Sequence, residues 1–193
     1  MGEVINKISE ATQNKAVVVT DVGQNQMMAA RYSKYSQTRS LVTSGGLGTM
    51  GFGIPAAMGA KMGAPVRTVL MYSGDGGFQM TIQELGTIMQ EQIGIKMVVL
   101  NNHFLGMVRQ WQEMFFDERY SFTKMKNPDF VAIAKAYNID GLEISERSEL
   151  DAAIADMLKD DKPYLLVVNV EMKGMVYPMI PAGGSVTNIL LGE

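Results

Sequence analysis

Four apolar, β-branched runs constrain the fold of this chain more than any other feature. They read AVVVTDVG (16–23), VRTVLMYSG (66–74), KMVVLNN (96–102) and YLLVVNVE (164–171). They show little of the apolar–polar alternation of a strand that is exposed on one face, so each strand is expected to be covered on both faces. This pattern is typical of a parallel sheet that lies between layers of helices.

Helical patterns occupy the stretches between these runs. The predicted caps are Thr81 with Glu84, the segment 127–129, and Ser148 with Asp151. Because strands and helices alternate, the sequence predicts a doubly wound α/β fold, with a mainly parallel sheet and helices on both faces. The predicted helices cover residues 3–14, 53–63, 81–92, 128–138 and 145–160.

Composition excludes several classes of function. The 193 residues suit one domain, and the 47% hydrophobic content can fill its core. Without cysteine there is no disulfide, thiolate nucleophile or Cys-ligated metal, and the single histidine, His103, cannot build a His-based metal site. With a net charge of −3 and no long apolar segment, neither nucleic acid nor membrane is an expected partner, and a cytoplasmic location is expected.

Polar residues and glycines follow three of the runs at the point where each predicted strand ends. Asp75 lies between glycines after the second run, and Asn102 follows the third run 27 positions later. In open α/β sheets, ligands bind beyond the carboxyl ends of the strands. Mg²⁺ prefers oxygen ligands and commonly combines one or two protein groups with phosphate oxygens. Each motif alone can also be an ordinary turn or loop, but together they predict a Mg²⁺–diphosphate site.

The GDG and NN motifs resemble the diphosphate–Mg²⁺ motif of thiamine-diphosphate enzymes. Longer segments closely resemble the catalytic subunit of acetolactate synthase, also called acetohydroxyacid synthase. These are TSGGLGTMGFGIPAAMGAK (43–61), MTIQELGTI (80–88), NNHFLGMVRQWQ (101–112), NPDFVAIAKAY (127–137) and PMIPAGGS (178–185). The resemblance covers nearly the whole chain and implies that residues 1–193, with the tail 172–193, are the thiamine-diphosphate-binding domain.

The resemblance also implies roles for single residues. Asp75, Asn102 and the main-chain carbonyl of Phe104 would hold Mg²⁺. Met50 would force the cofactor into the bent shape that its chemistry needs, although its pattern alone also suits a core methionine. Met107 and Trp111 would contact substrate, and core packing is the equally weighted alternative for Trp111. The implied cofactor contacts are Val22, Gly23, Gln24, Asn25, Gly48, Met50, Gly74, Asp75, Gly76, Gly77, Met80, Asn102, Leu105, Gly106, Met107 and Val108.

Two positions depart from the family pattern. Asn25 stands where histidine is usual, and Met28 stands where tryptophan is frequent. Asparagine can still form hydrogen bonds, but it does not titrate near neutral pH. A proton-transfer role at position 25 is therefore in doubt, whereas a diphosphate contact is not. His103 is not expected to bind the metal, on the assumption that it continues the strand and faces away from Asn102.

The implied reaction condenses two pyruvates, or pyruvate and 2-ketobutyrate, with loss of CO₂, in branched-chain amino acid biosynthesis. The implied enzyme is a homodimer or tetramer with a possible regulatory subunit. Its pyrimidine-binding and FAD-binding domains have no counterpart here, so the chain is expected to be a fragment that is inactive alone. The alternatives are another thiamine-diphosphate decarboxylase, oxidase or carboligase, a non-catalytic diphosphate-binding module, and a flavodoxin-like nucleotide binder, which leaves Asn102 unexplained.

Overall fold

Six parallel strands form the centre of the molecule in a computed structural model, which describes residues 1–192. The strands are β1 (Val17–Thr20), β2 (Leu41–Thr43), β3 (Val69–Gly74), β4 (Ile95–Asn101), β5 (Asp140–Ile144) and β6 (Tyr164–Asn169). Their order across the sheet is β2-β1-β3-β4-β6-β5. The predicted α/β fold is therefore confirmed, and the sheet is parallel throughout.

Helices cover both faces of this sheet, as the unalternating strands predicted. One face packs against α1 (Gly2–Ala11), α2 (Gln24–Tyr32) and α8 (Leu150–Met157). The other face packs against α3 (Gly53–Gly63), α4 (Asp75–Met80), α5 (Leu85–Glu91) and α7 (Phe130–Ala136). A further helix, α6 (Gly106–Phe115), follows β4, and 3-10 turns cover Ile82–Glu84 and Arg147–Glu149.

Alternate residues of the central strands β1, β3, β4 and β6 enter different cores. In β1, Val18 packs in the first core, whereas Val17 and Val19 pack in the second. All four residues of this strand are buried, and so are all seven residues of β4. Burial on both faces explains why the central runs are apolar without alternation.

After β1, the chain forms β2 on one side of β1 and then crosses back to form β3 on the other side of β1. β1 pairs with β2 through Val18 and Leu41, and with β3 through Val18 and Leu70. The strand order thus reverses between β1 and β3, and a crevice opens at their carboxyl ends. α2 begins at Gln24, directly after β1, and α4 begins at Asp75, directly after β3.

Two predicted caps are wrong. The helix predicted over 81–92 is a 3-10 turn at Ile82–Glu84 followed by α5, and Thr81 precedes it without a side-chain capping bond, because its hydroxyl donates to the Gly51 carbonyl oxygen at 2.9 Å. The predicted pair Ser148–Asp151 is replaced by a capping box between Glu146 and Glu149. Glutamate has a longer side chain than the predicted serine and aspartate caps, and at these positions it bonds to the free backbone N–H groups of the first turn.

Other predicted elements are confirmed. Val4, Ile5 and Ile8 of α1 are buried, and helix 53–63 has the predicted bounds. Asp129 caps α7 by accepting a hydrogen bond from the Ala132 N–H at 2.8 Å. The sequence patterns missed β2, β5, α2 and α6, which are the more exposed or more polar elements.

Candidate functional site

A cavity of about 230 Å³ lies in the crevice where β1, β3 and β4 end. Its walls come from the segments that directly follow these strands, together with the turn around Met50. All but two of the residues predicted to contact cofactor, metal or substrate line it. The lining consists of Met1, Val22, Gly23, Gln24, Asn25, Gly48, Met50, Gly74, Asp75, Gly76, Gly77, Leu100, Asn102, Phe104, Leu105, Gly106, Met107 and Val108.

Asp75 is the acidic side chain in this lining, and it is only 1% exposed. Its Oδ2 accepts a hydrogen bond of 2.6 Å from the Asn127 amide. Burial raises the pKa of Asp75, while hydrogen bonds from Asn127 and the Gly76 backbone act in the opposite direction. None of the ion pairs found in residues 1–192 involves Asp75. A buried carboxylate with only neutral partners favours a cation beside it.

The two asparagines at the end of β4 have different environments. Asn101 turns away from the cavity, donates to Asn169 Oδ1 at 2.9 Å and accepts from Asn127 Nδ2 at 2.9 Å. Asn102 lines the cavity, and its Oδ1 accepts from the Phe104 N–H at 3.1 Å. Among the described residues, no hydrogen bond outside regular helices and strands uses the Phe104 carbonyl oxygen. The end of β4 thus contributes two neutral oxygens of the kind that Mg²⁺ accepts.

The residues present fit a Mg²⁺–diphosphate group. Within residues 1–192, no cluster of three or more Asp, Glu, His or Cys side chains is arranged to hold a metal ion. Asp75, Asn102 and the Phe104 carbonyl would instead hold the ion together with ligand phosphate oxygens, which is the usual composition of a magnesium–phosphate site. Asn25 adds a buried Oδ1 without a hydrogen-bond partner in the cavity wall. That unpaired polar atom is a further sign that the wall is completed by a ligand.

Asp21 organises the opposite wall of the cavity without facing the predicted metal. Its Oδ1 accepts from the N–H groups of Val22 and Gly51 at 2.8 and 3.2 Å, and its Oδ2 accepts from Gly53 at 2.8 Å. The carboxylate fits there because position 77 is glycine: a Cβ at Gly77 would lie 2.2 Å from Asp21 Oδ1. These bonds fix the turn that carries Met50.

Three other predictions meet a different geometry. Met80 is 53% exposed and lies outside the cavity lining. Trp111 also lies outside the lining, half-buried, with its ring 5.4 Å from that of Phe115 in an edge-to-face contact. The reason given for excluding His103 is wrong, because β4 ends at Asn101 and His103 has a positive φ of 58°.

Sequence reasoning missed several residues of the site. Leu100 and Met1 line the cavity, Asn127 contacts Asp75, and Asp21 holds the Met50 turn. A usable signal existed for Asp21, which is an acid directly after a buried strand, as Asp75 is. The local pattern at 127–129 indicated only a helix cap, and it could not assign Asn127 to the site, because Asn127 reaches Asp75 across 52 positions of the chain.

Comparisons with known proteins identify the family. Residues 21–168 match the model for "Thiamine pyrophosphate enzyme, C-terminal TPP binding domain". The chain belongs to this family. The thiamine-diphosphate domain predicted from the motifs is thereby confirmed.

The chain is also similar to curated acetolactate synthases. It is 46% identical to the acetolactate synthase isozyme 2 large subunit of Escherichia coli (strain K12) over 97% of this chain and 34% of that protein. It is 50% identical to the acetolactate synthase large subunit of Lactococcus lactis over 94% of this chain and 32% of that protein. With the mitochondrial acetolactate synthase of Schizosaccharomyces pombe, the identity is 43% over 99% of this chain and 29% of that protein. The chain thus spans about a third of the length of these relatives.

No helix within residues 1–192 has both the length and the apolar character that crossing a membrane requires.

Proposed function

We propose that this chain binds thiamine diphosphate through a Mg²⁺ ion held by Asp75, Asn102 and the Phe104 carbonyl. The observation that carries the proposal is the uncompensated carboxylate of Asp75 in the wall of the cavity that also receives Asn102 and Phe104. The similarity to acetolactate synthases supports it, because the GDG motif and Asn102 of the NN motif line the same cavity.

Each wall of the cavity has its own part in holding the cofactor. The glycines at 74, 76 and 77 allow a diphosphate to approach the backbone at the start of α4. Asn25 and the Val22–Gly23 backbone, which also line the cavity, would contact the diphosphate as well. Met50, held by the turn that Asp21 fixes, would press on the cofactor from the 48–53 segment. When bound, thiamine diphosphate supplies the electron-accepting ring that decarboxylation of a 2-keto acid needs.

We further propose that the chain acts as part of an acetolactate synthase. The substrates would be pyruvate and 2-ketobutyrate, in branched-chain amino acid biosynthesis. The enzyme would be a homodimer or tetramer with a possible regulatory subunit, with FAD bound in a separate domain. The domain would extend over residues 1–193, of which Glu193 lies outside the described residues. A cytoplasmic location stays a prediction, and relatives with mitochondrial and chloroplastic names show that the family is not confined to one compartment.

The test is a calorimetric titration of the purified chain with thiamine diphosphate, with Mg²⁺ and then with EDTA. We expect binding that depends on Mg²⁺. Nucleotides such as ADP with Mg²⁺ serve as the competing ligand, because a general diphosphate binder would accept them equally. Equal affinity for both ligands, or binding that EDTA leaves unchanged, would contradict the proposal.

The acetolactate synthase activity has a separate test. Acetoin is measured after acid decarboxylation of the product, with saturating thiamine diphosphate, Mg²⁺, FAD and pyruvate. The chain alone is expected to be inactive, because the resemblance to acetolactate synthase implies a catalytic glutamate in the pyrimidine-binding domain, and no residue of this chain is assigned that role. Turnover by the chain alone would show that these 193 residues contain a catalytic base that our assignment lacks.

Trp111 is proposed to favour the larger acceptor. In the active enzyme, Trp111→Leu should lower the preference for 2-ketobutyrate over pyruvate. The two substrates differ by one methylene, so the change is limited to 10–200-fold, or about 1–3 kcal/mol. Competition between the two acceptors gives the ratio of acetohydroxybutyrate to acetolactate. An unchanged ratio would assign Trp111 to packing against Phe115 alone.

A further inference from the structure

Two buried glutamines at the cavity have side-chain amides that the proposed function does not use: Gln24 is part of the lining, and Gln110 lies behind Gln24. Gln110, on α6, is fully buried, and Gln24, at the start of α2, is 4% exposed. Gln24 Nε2 donates to Gln110 Oε1 at 2.8 Å. Burying two neutral amides away from water is unfavourable unless their hydrogen bonds are made. The hydrogen-bond partners of the two glutamines therefore indicate which groups the glutamines position.

The backbone at Val176 fixes the orientation of Gln110. The Val176 N–H donates to Gln110 Oε1 at 3.0 Å, and Gln110 Nε2 donates to the Val176 carbonyl at 3.1 Å. A backbone N–H can only donate and a carbonyl can only accept. The oxygen and nitrogen of the Gln110 amide therefore have one arrangement that satisfies both partners.

This orientation is passed on to Gln24 and then to Asn102. Because Gln110 presents its oxygen, Gln24 must present Nε2, which also donates to the Gly174 carbonyl at 2.9 Å. The Gln24 oxygen is then directed at Asn102, whose Nδ2 donates to it at 3.3 Å. With its nitrogen held on this side, Asn102 has its oxygen on the other side, near the Phe104 N–H.

Gly106 leaves the space in which the last two amides meet. A Cβ at this position would lie 2.2 Å from Gln24 Oε1 and 2.7 Å from Asn102 Nδ2. Neither contact is possible without moving an amide. We call the hydrogen bonds that run from Val176 through Gln110 and Gln24 to Asn102 the amide relay. The relay therefore depends on a glycine as well as on its three polar side chains.

We propose that Gln110 and Gln24 are positioning residues that turn the Asn102 amide oxygen toward the metal and connect the segment 174–176 to the metal site. The inference rests on the proposed function, because it assigns Asn102 Oδ1 to the ion. Neither glutamine touches the ion in this assignment. Their effect is to prevent Asn102 from rotating and presenting its NH₂ group, which is no ligand for a cation.

The experiment measures Mn²⁺ affinity by electron paramagnetic resonance in the presence of thiamine diphosphate. Gln110→Met, Gln24→Met and the double variant are compared with the unaltered chain, after circular dichroism shows that each is folded. Loss of a residue that orients a metal ligand typically lowers metal affinity 10–100-fold, so we expect about tenfold for each single variant. Because both residues act in one relay, the double variant should lose no more than Gln24→Met.

Arg31→Met is the matched control. Arg31 also holds the tail, by donating to the Tyr177 and Pro178 carbonyls, but it does not contact either glutamine. We expect its Mn²⁺ affinity to stay within twofold of the unaltered chain. If the glutamines acted only by holding the tail in place, Arg31→Met and Gln110→Met would lose similar Mn²⁺ affinity, and this result would overturn the relay. Additive losses in the double variant would overturn it too.

Side-chain amide resonances of Asn102 give a measurement that needs no metal. In the unaltered chain we expect one slowly exchanging Asn102 proton, which is the one bonded to Gln24, and faster exchange of it in both single variants. If the unaltered chain does not bind Mn²⁺ with thiamine diphosphate, the proposed function fails, and the amide exchange alone then supports or overturns the relay. If Gln110→Met does not fold, Gln24→Met tests the same connection.

Discussion

The two edges of the sheet bury charged groups in opposite ways. At the amino edge, Lys61 and Lys96 are buried cations with partners. Lys61 donates to Asp161 at 2.7 Å, and Lys96 donates to the Lys162 carbonyl at 2.6 Å with Asp160 at 3.6 Å. At the carboxyl edge, the buried carboxylates Asp21 and Asp75 take part in none of the ion pairs found within residues 1–192.

The two carboxylates at the carboxyl edge also differ from each other. Asp21 accepts three backbone N–H groups, so its charge is compensated by the fold itself. Asp75 instead accepts its side-chain hydrogen bond from the neutral Asn127 amide, and burial raises its pKa, so its charge is less compensated than that of Asp21. Buried charge is therefore tolerated in this fold wherever partners are built in, and it marks a ligand site where they are not.

Asp75→Asn should have the largest effect on binding. The substitution keeps the shape and removes the only charged metal ligand, so Mg²⁺-dependent affinity for thiamine diphosphate should fall at least about a thousandfold, or 4 kcal/mol. Calorimetry measures the loss. Asn127→Ala, which removes a partner of Asp75 but leaves the carboxylate, is the matched variant and should retain Mg²⁺ dependence. Unchanged metal dependence in Asp75→Asn would contradict the assignment.

Asp75→Asn is expected to lower the affinity for ligand but not the stability of the protein without ligand. Because the pKa of Asp75 is raised in the folded state, the folded state holds this proton more tightly than the unfolded state does. Stability from this group is therefore greatest below the ordinary pKa of about 3.9 and is lost as pH rises through the folded value. At pH 7, without Mg²⁺, Asp75→Asn should melt no lower than the unaltered chain. Any advantage should shrink as the pH is lowered toward 4, which thermal melts at several pH values would show.

Asp21→Asn should have the next largest effect, and on stability. The amide replaces an oxygen that accepts backbone N–H groups with an NH₂ group, which leaves at least one buried donor unpaired. A loss of about 2–3 kcal/mol in the free energy of unfolding is expected from urea titration. Asp161→Asn, at the exposed partner of Lys61, is the control and should cost less than 1 kcal/mol. Equal losses of unfolding free energy in Asp21→Asn and Asp161→Asn would show that the backbone bonds of Asp21 contribute no more than the ion pair of Asp161.

Gly106→Ala should have a smaller effect, confined to the binding edge. The added methyl group would displace Gln24 or Asn102, so we expect about a tenfold loss of metal-dependent affinity for thiamine diphosphate. Gly59→Ala, where the added Cβ meets no atom within 4 Å, is the control and should bind normally. A normal affinity in Gly106→Ala would mean that the neighbouring amides can move without harming the metal site.

Lys96→Met should have the smallest effect. Burial lowers the pKa of Lys96, with Asp160 acting in the opposite direction, so the charged form is disfavoured in the fold. Removing the charge offsets the loss of the bond to Lys162, and stability should stay within about 1 kcal/mol. Thiamine-diphosphate affinity should not change. A large loss of thiamine-diphosphate affinity would show that the buried lysine at the amino edge influences the site at the carboxyl edge, so the two edges could not be treated as independent.

The sequence was sufficient for the central strands and much of the cavity, because both depend on short-range patterns. The buried run 66–74 contains β3, the run 96–102 contains all of β4 except Ile95, and polar residues at the ends of both runs line the site. The patterns failed where the structure depends on distant partners. β2 pairs with β1 although Leu41 is exposed, and Thr81 looked like a helix cap until Gly51 gave its hydroxyl another partner. Asn127 and the pair Gln24–Gln110 are visible only once the fold brings them together.

The cavity is assembled from five stretches of chain, and most of them become adjacent only when the crossovers that place β1, β3 and β4 side by side are complete. A parallel sheet closes long loops before its contacts form, so such pairings are slow steps in folding. The site should consequently appear only with the native sheet, and its ligand should report on the folded fraction of the whole molecule. By mass action, thiamine diphosphate with Mg²⁺ at a hundred times its Kd would add about 2.7 kcal/mol to the free energy of unfolding. A crude extract heated with and without cofactor would then reveal the ligand through the survival of the protein, without any assay of catalysis.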